Sequence, residues 1–510
     1  MACTTILVGK KASYDGSTMI ARNDDSSAGS FTPKKWVVVT PDRQPRKYTS
    51  VLSHVEIDLP EEPLRYTAVP NAVKGVGIWA AAGVNAANIA MSATETITSN
   101  DRVLGADPLV KYIPAELAPD GKEQIGGIGE EDLVVLVLPY IRSAREGVER
   151  LGKLLETYGT YEMNGIAFQD QDEIWWLESI GGHHWMARRV PDNCYVIMPN
   201  QLGIDRFDFT DAFSARKNFM CAPDLLEFVK KNHLDLAMES SESNFDARAA
   251  FGSHSDFDHS YNTPRAWALQ RYLNPTDSRW DGPDADFTPV SDNIPWCRVP
   301  EKKITVEDVK WVLSNHYQGT PYDPYGKYGD LSHRGQYRPI GINRTSFVAC
   351  LQLRPYVPAE IAAVEWLAFA SNAFNTFVPF YANVNRTPAY LADTTGEVDS
   401  NNFYWASRLI GALADGDYSR CIPHIEHYQT AVMSQGHELL NRFDGEIGRT
   451  LDKEDGNASA AKQAKTIVTR LEDANEVIAS MLQQETQTAL ANVLHTASCD
   501  MKNAFGRSDA

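Results

Sequence analysis

The feature that most constrains this 510-residue chain is the place where its hydrophobic period changes. Short apolar or β-branched runs of strand length recur at residues 4–9, 18–22, 36–40, 77–82 and 89–92. Residues 131–158 then adopt helical spacing, with Leu133, Leu136, Val137, Tyr140, Ile141, Val148, Leu151, Leu154 and Leu155 on one stripe. Strand-length runs return at 165–169, 173–179, 184–189 and 194–198. Strands, a helical block and strands again exclude a regular βαβ alternation and predict an α+β layered sandwich. Asp15-Gly16 between the first two runs supplies the turn of a hairpin.

Farther along, residues 276–337 are rich in Pro, Asp, Gly and Tyr and predict long loops with a helix near 306–314. From about Val398 the pattern is helical, with long stretches at 425–451 and 460–491 joined by a loop at 452–459. The chain thus divides into a main domain over 3–397 and a helical region over 398–510 packed on it. The apolar stripe of the tail fits packing or a homo-oligomer surface better than a membrane element.

Charge and cysteine usage narrow the function. Lys plus Arg number 48 against 67 Asp plus Glu, a net charge of −19 that repels phosphate backbones and excludes nucleic acid as a partner. The seven cysteines (Cys3, Cys194, Cys221, Cys297, Cys350, Cys421 and Cys499) are scattered without CxxC spacing. That argues against a zinc clip or disulfide framework and for a reduced, cytoplasmic compartment. No apolar run is long enough to span a bilayer, and the N-terminal charges follow rather than precede the first apolar run, so neither a membrane nor a secretory signal is expected. Phosphate-loop, dinucleotide, His-Glu-x-x-His and Gly-x-Ser-x-Gly signatures are absent, and the Gly126-Gly127-Ile128-Gly129 cluster reads as a surface loop.

Cys3 is the candidate nucleophile. It opens directly into the first strand, Thr4-Thr5-Ile6-Leu7-Val8. Removal of Met1 and Ala2 gives it a free α-amine beside its thiol, and an α-amine has a reference pKa of ~7.7–8.0. One residue then supplies both nucleophile and general base. Arg22-Asn23-Asp24-Asp25 ends the returning strand, and antiparallel pairing brings Arg22 to the end of the sheet where Cys3 lies. An arginine there lowers a thiol's pKa.

These segments, Cys-Thr-Thr-Ile-Leu-Val-Gly and Tyr-Asp-Gly-Ser-Thr-Met-Ile-Ala-Arg-Asn-Asp-Asp, resemble the N-terminal-nucleophile cysteine dipeptidases of the bacterial dipeptidase A type. Penicillin V acylases, bile salt hydrolases and secernins are more distant relatives. The resemblance implies a four-layer αββα sandwich and an Arg-Asn-x-Asp motif at Arg22, Asn23 and Asp25, with Asp24 in the variable slot. It also implies an oxyanion-binding Asn200 within Pro199-Asn200-Gln201 and a second active-site arginine, Arg265, within Tyr261-Asn262-Thr263-Pro264-Arg265. Gly83-Val84-Asn85 matches the acylase relatives, but Thr94-Glu95-Thr96 stands where they carry a further Asn. Glu95 is assigned instead to clamping the ammonium of a dipeptide.

The expected activity is hydrolysis of dipeptides with broad specificity, with no metal and no organic cofactor. Acyl-amide hydrolysis and a non-catalytic secernin-like role are the rival readings. His183-His184 are read as packing rather than metal ligands, because neighbours in a strand face opposite ways. His254, Asp256, Asp258 and His259 are read as a loop near the pocket, and residues 374–381 as core or pocket wall.

Overall fold

The computed structural model describes residues 3–453 and 460–501. The strands of its two larger sheets are β1 (Thr4–Val8), β2 (Thr18–Asp25), β3 (Ala82–Val84), β4 (Ala90–Thr96), β5 (Asn164–Gln169), β6 (Ile174–Ile180), β7 (His184–Arg189), β8 (Tyr195–Met198), β9 (Phe219–Cys221), β10 (Cys297–Arg298), β11 (Thr345–Leu353), β12 (Ala363–Phe369) and β13 (Val378–Tyr381). The seven-stranded sheet runs β10-β8-β1-β2-β11-β12-β13 and the six-stranded one β9-β7-β6-β5-β4-β3. All their pairings are antiparallel. The β1–β2 turn is built as its sequence suggests. Asp15 accepts hydrogen bonds from Ser13 Oγ (2.8 Å) and the Ser17 amide (3.0 Å), and Gly16 takes φ +85°.

The seven-stranded sheet is buried on both faces, so β1 is a continuous apolar run rather than an alternation. Leu7 and Ile20 enter an apolar cluster shared with the six-stranded sheet, whose β4 and β5 pack against β2. Ile6, Val8, Met19 and Ala21 enter a second cluster on the other face. Around the sheets lie α1 (Ala144–Tyr158) on β5, β6 and β7, α2 (Thr263–Leu273) on β8, and α3 (Val306–Leu313) on β1, β2 and β11. Farther on, α4 (Phe403–Gly416) lies on β12, and α5 (Tyr418–Lys453) and α6 (Ala460–Cys499) lie on β13. Among the described residues no helix is long and apolar enough to cross a membrane.

Three expectations need correction. Residues 77–82 are mostly loop, because Gly77, Trp79 and Ala81 take positive φ and only Ala82 enters a strand. The helical block at 131–158 is two helices. Pro139 interrupts the stripe after Leu133–Val137, and Ser143 caps a fresh start by accepting from the Glu146 amide (3.1 Å). The helices expected at 425–451 and 460–491 lie inside the longer α5 and α6, and most of the loop expected between them falls outside the described residues.

Candidate active site

Register decides which side chains surround Cys3. Thr5 pairs with Arg22 and Thr4 with Asn23. Strand side chains alternate, so Thr5, Arg22 and Asp24 share the face of Leu7 and Ile20, toward the second sheet. Arg22 Nη1 donates to Cys3 Sγ (3.1 Å) and to Glu130 Oε1 (3.3 Å), and both Cys3 and Arg22 are buried. Asn23 and Asp25 take the opposite face. Asn23 donates to the carbonyls of Leu313 (3.0 Å) and Ile340 (3.1 Å), while Asp25 accepts from Thr345 Oγ1 (2.6 Å) and pairs with Arg338. The Arg-Asn-x-Asp motif therefore divides between the thiol and the anchoring of the strand end.

The Cys3 main chain is held from the other side. Its N–H donates to Asn200 Oδ1 (3.0 Å), just beyond the end of β8. From α2, Arg265 donates to the Cys3 carbonyl, to Thr4 Oγ1 (2.7 Å), to Asn200 Oδ1 (2.8 Å) and to Asn262 Oδ1 (2.7 Å). Burial first, and Arg338 second, pull the Arg265 guanidinium down to about 9. Asn200 Nδ2 donates to the Thr96 carbonyl (2.9 Å) and to Glu95 Oε2 (3.2 Å). Glu95 Oε1 accepts from Thr5 Oγ1 (2.6 Å), so both oxygens of this buried carboxyl serve partners inside the protein. Burial pushes Glu95 up to about 8.

Sequence reading missed part of the thiol's surroundings. A carboxylate oxygen of Asp24 and one of Glu130 lie within 4.8 Å of Cys3 Sγ and of each other. These three groups could ligate a metal, but Arg22 already donates to two of them. Lys34 Nζ lies 3.1 Å from Asp24 Oδ2 and donates to the Trp79 carbonyl (3.0 Å). Burial opposes ionisation of Asp24, yet Lys34 and then Arg22 outweigh it and hold this carboxyl below its ordinary range. The Cys3 thiol is pushed well up, by burial first; Arg22 pulls it down, and Glu95, Glu130 and Asp24 push it up again. Two signals pointed to the missed acids: the i, i+2 spacing of Arg22 and Asp24, and three consecutive acids, Glu130–Asp132, running into a wholly apolar helix.

A cleft of about 570 Å³ adjoins this network, lined in part by Asn200, Asn262, Tyr261, Thr96, Asp258 and Phe257. His254 and Asp258 line it, but the expected loop is in part a short helix, Asp256–Tyr261, which holds Asp256, Asp258 and His259; Asp258 caps it with Ser255, and His259 Nε2 lies 2.9 Å from Asp292. His183 precedes its strand instead of lying in it. Both it and His184 turn Nδ1 to Asp107, at 3.0 and 2.7 Å, so strand alternation does not keep them apart. Asn85 donates to the carbonyls of Leu138 and Ile141, both at 2.8 Å, and so fastens the turn around Pro139.

Comparison with known proteins places the chain among peptidases. The sequence profile of peptidase family C69 matches residues 2–431. A dipeptidase of Bifidobacterium longum is 56% identical over 100% of both chains. A probable dipeptidase A of Streptococcus pyogenes is 52% identical over 100% of both. Dipeptidase A of Lactobacillus helveticus is 44% identical over 94% of this chain and 96% of its own. With the family's profile spanning most of its length and relatives of this identity end to end, the chain belongs to peptidase family C69.

Proposed function

We propose that this peptidase is a cytoplasmic cysteine dipeptidase of broad specificity in which Cys3 acts as an N-terminal nucleophile. The observation that carries the reading is the separate seating of the two reactive atoms of Cys3, sulfur on Arg22 at 3.1 Å and nitrogen on Asn200 at 3.0 Å. The names of the full-length relatives, dipeptidase and dipeptidase A, support the substrate class. Two antiparallel sheets packed on each other, with helices against both, support a four-layer αββα architecture over 3–397, with residues 398–510 as a helical addition. Seven free thiols support a reducing compartment.

Loss of Met1 and Ala2 turns the Cys3 amide into an amine. The amine takes the thiol proton, and the thiolate attacks the carbonyl carbon of the dipeptide. Asn200 Nδ2 exchanges its longer bond, to Glu95, for the developing oxyanion, while Oδ1 keeps the amine in place. The protonated amine passes its proton to the leaving amino acid as the C–N bond breaks, leaving a thioester. Water, deprotonated by the same amine, hydrolyses the thioester and restores the thiol. Arg22 stabilises the thiolate, Arg265 fixes the Cys3 main chain and Asn200, and Asp25 with Arg338 anchors the end of β2. Glu95 positions Asn200 and Thr5. Hydrolysis of a panel of free dipeptides beside their N-acylated forms tests the reading, with Cys3→Ala as control. Turnover of free dipeptides that vanishes in Cys3→Ala supports it, and preference for the acylated forms favours the acylase-type rival.

A further inference from the structure

The ammonium-binding group of a dipeptidase must lie at a fixed distance from its nucleophile. In an α-amino acyl group the amine nitrogen is ~2.5 Å from the carbonyl carbon, from the standard N–Cα and Cα–C lengths. A nucleophile poised for attack stands ~3–3.5 Å from that carbon. The ammonium consequently sits about 3–5 Å from the attacking sulfur. A carboxylate oxygen of Asp24 and one of Glu130 lie within 4.8 Å of Cys3 Sγ, near enough to accept from an ammonium so placed. Asp24 is 1% exposed and ionises readily with Lys34 beside its Oδ2, yet its buried Oδ1 accepts no hydrogen bond from any described residue. Alternation along β2 aims Asp24, and not Asp25, at the face that holds the thiol.

Resting on the dipeptidase reading, we infer that Asp24, with Glu130 beside it, seats the α-ammonium of the substrate and so selects free dipeptides over N-acylated or des-amino amides. A primary ammonium gives Asp24 Oδ1 the charged donor it lacks, whereas an acylated nitrogen offers one neutral N–H behind an added acyl group and a des-amino analogue offers none. Glu95, with both oxygens bonded to Thr5 and Asn200, supports Asn200 instead of the substrate.

The test compares alanyl-alanine with its des-amino analogue, propionyl-alanine, on the full processed chain and on Asp24→Asn, Glu130→Gln and Glu95→Gln. In the unsubstituted enzyme the ratio of kcat/KM for dipeptide over analogue is expected to exceed 100. In Asp24→Asn it collapses at least tenfold, chiefly through KM for the dipeptide. Glu130→Gln gives the same comparison with a smaller change, and carries the test alone should Asp24→Asn not fold. Equal losses on both substrates, or a collapse confined to Glu95→Gln, overturn the assignment while leaving dipeptide hydrolysis intact. Calorimetric binding of alanyl-alanine to Cys3→Ala, with and without Asp24→Asn, separates the two readings. Binding that weakens at least tenfold with Asp24→Asn, together with no turnover of alanyl-alanine by the unsubstituted processed chain, upholds the seat and removes the dipeptidase reading. No binding and no turnover overturns both.

Discussion

At the scale of residues, Cys3 meets its partners because β1 and β2 pair with Thr5 opposite Arg22, and a slip of one position would send Arg22 and Asp24 to the opposite face. Asn200 is the residue most exposed to test, since one carboxamide both holds the Cys3 nitrogen and turns Nδ2 toward the space beside Glu95 and Thr96. Asn200→Ala is expected to lower kcat by roughly 10²–10³, the usual cost of losing an oxyanion donor. Asn200→Asp keeps the acceptor for Cys3 but not the donor, and should lose nearly as much in single-turnover assays. A variant with kcat within threefold of the parent would remove Asn200 from the chemistry. Cys3 and Arg22 are legible in the sequence from the hairpin that brings them together, and Asn200 and Arg265 only through the family resemblance. Asp24, Glu130 and Lys34 are not, since their meaning depends on which face of a strand they occupy and on a loop that folds back from more than a hundred residues away.

Elements show a different balance between pattern and packing. The hairpin, β5 through β8 and the helix at Val306–Leu313 follow from period and turn chemistry. Strands β11 to β13 escape that reading because both faces of their sheet are covered, which erases the alternation that marks a half-exposed strand. The polar exception within β12, Glu365, is buried and accepts from Trp36 Nε1 (2.8 Å) and Thr67 Oγ1. Burial pushes it from 4.5 up to about 7. Between those values the folded state binds a proton that the unfolded state has released. Its stabilising contribution is therefore complete below about pH 4.5 and lost as pH rises through about 7. Thermal melts of the parent should show Tm falling from pH 5 to pH 8. Glu365→Gln should fall less steeply, with part of the slope left to Glu178, also raised to about 7. An unchanged slope in Glu365→Gln would show that this carboxyl is ionised in the folded protein.

On the scale of the whole molecule, the C-terminal helices are bound into the body that holds the site. Asn475 of α6 accepts from the Tyr381 amide (2.9 Å) and donates to the Tyr381 carbonyl (3.0 Å), while Asp444 of α5 accepts from Tyr381 Oη (2.7 Å) and pairs with Arg354 (2.6 Å). Both apolar clusters take residues from this tail, Ile425, Ile478 and Leu482 in one and Ile447 and Leu471 in the other. Calorimetry should accordingly record one cooperative unfolding transition, and a chain ending at residue 417 should be insoluble or inactive, since β13 loses its cover. Two separated transitions, or an active truncated chain, would contradict this. The net charge of −19 says little about the site, whose buried cations and carboxylates are a small local selection from the 115 charged side chains, 48 plus 67, of the sequence.

The proposed free α-amine of Cys3 has a direct check in the intact mass of fully active enzyme. The mass should equal that of the chain beginning at Cys3, with Met1 and Ala2 both gone, and preparations that retain Ala2 should turn over dipeptides in proportion to their processed fraction only. Full specific activity in protein that still carries Ala2 would overturn the free-amine mechanism of Cys3.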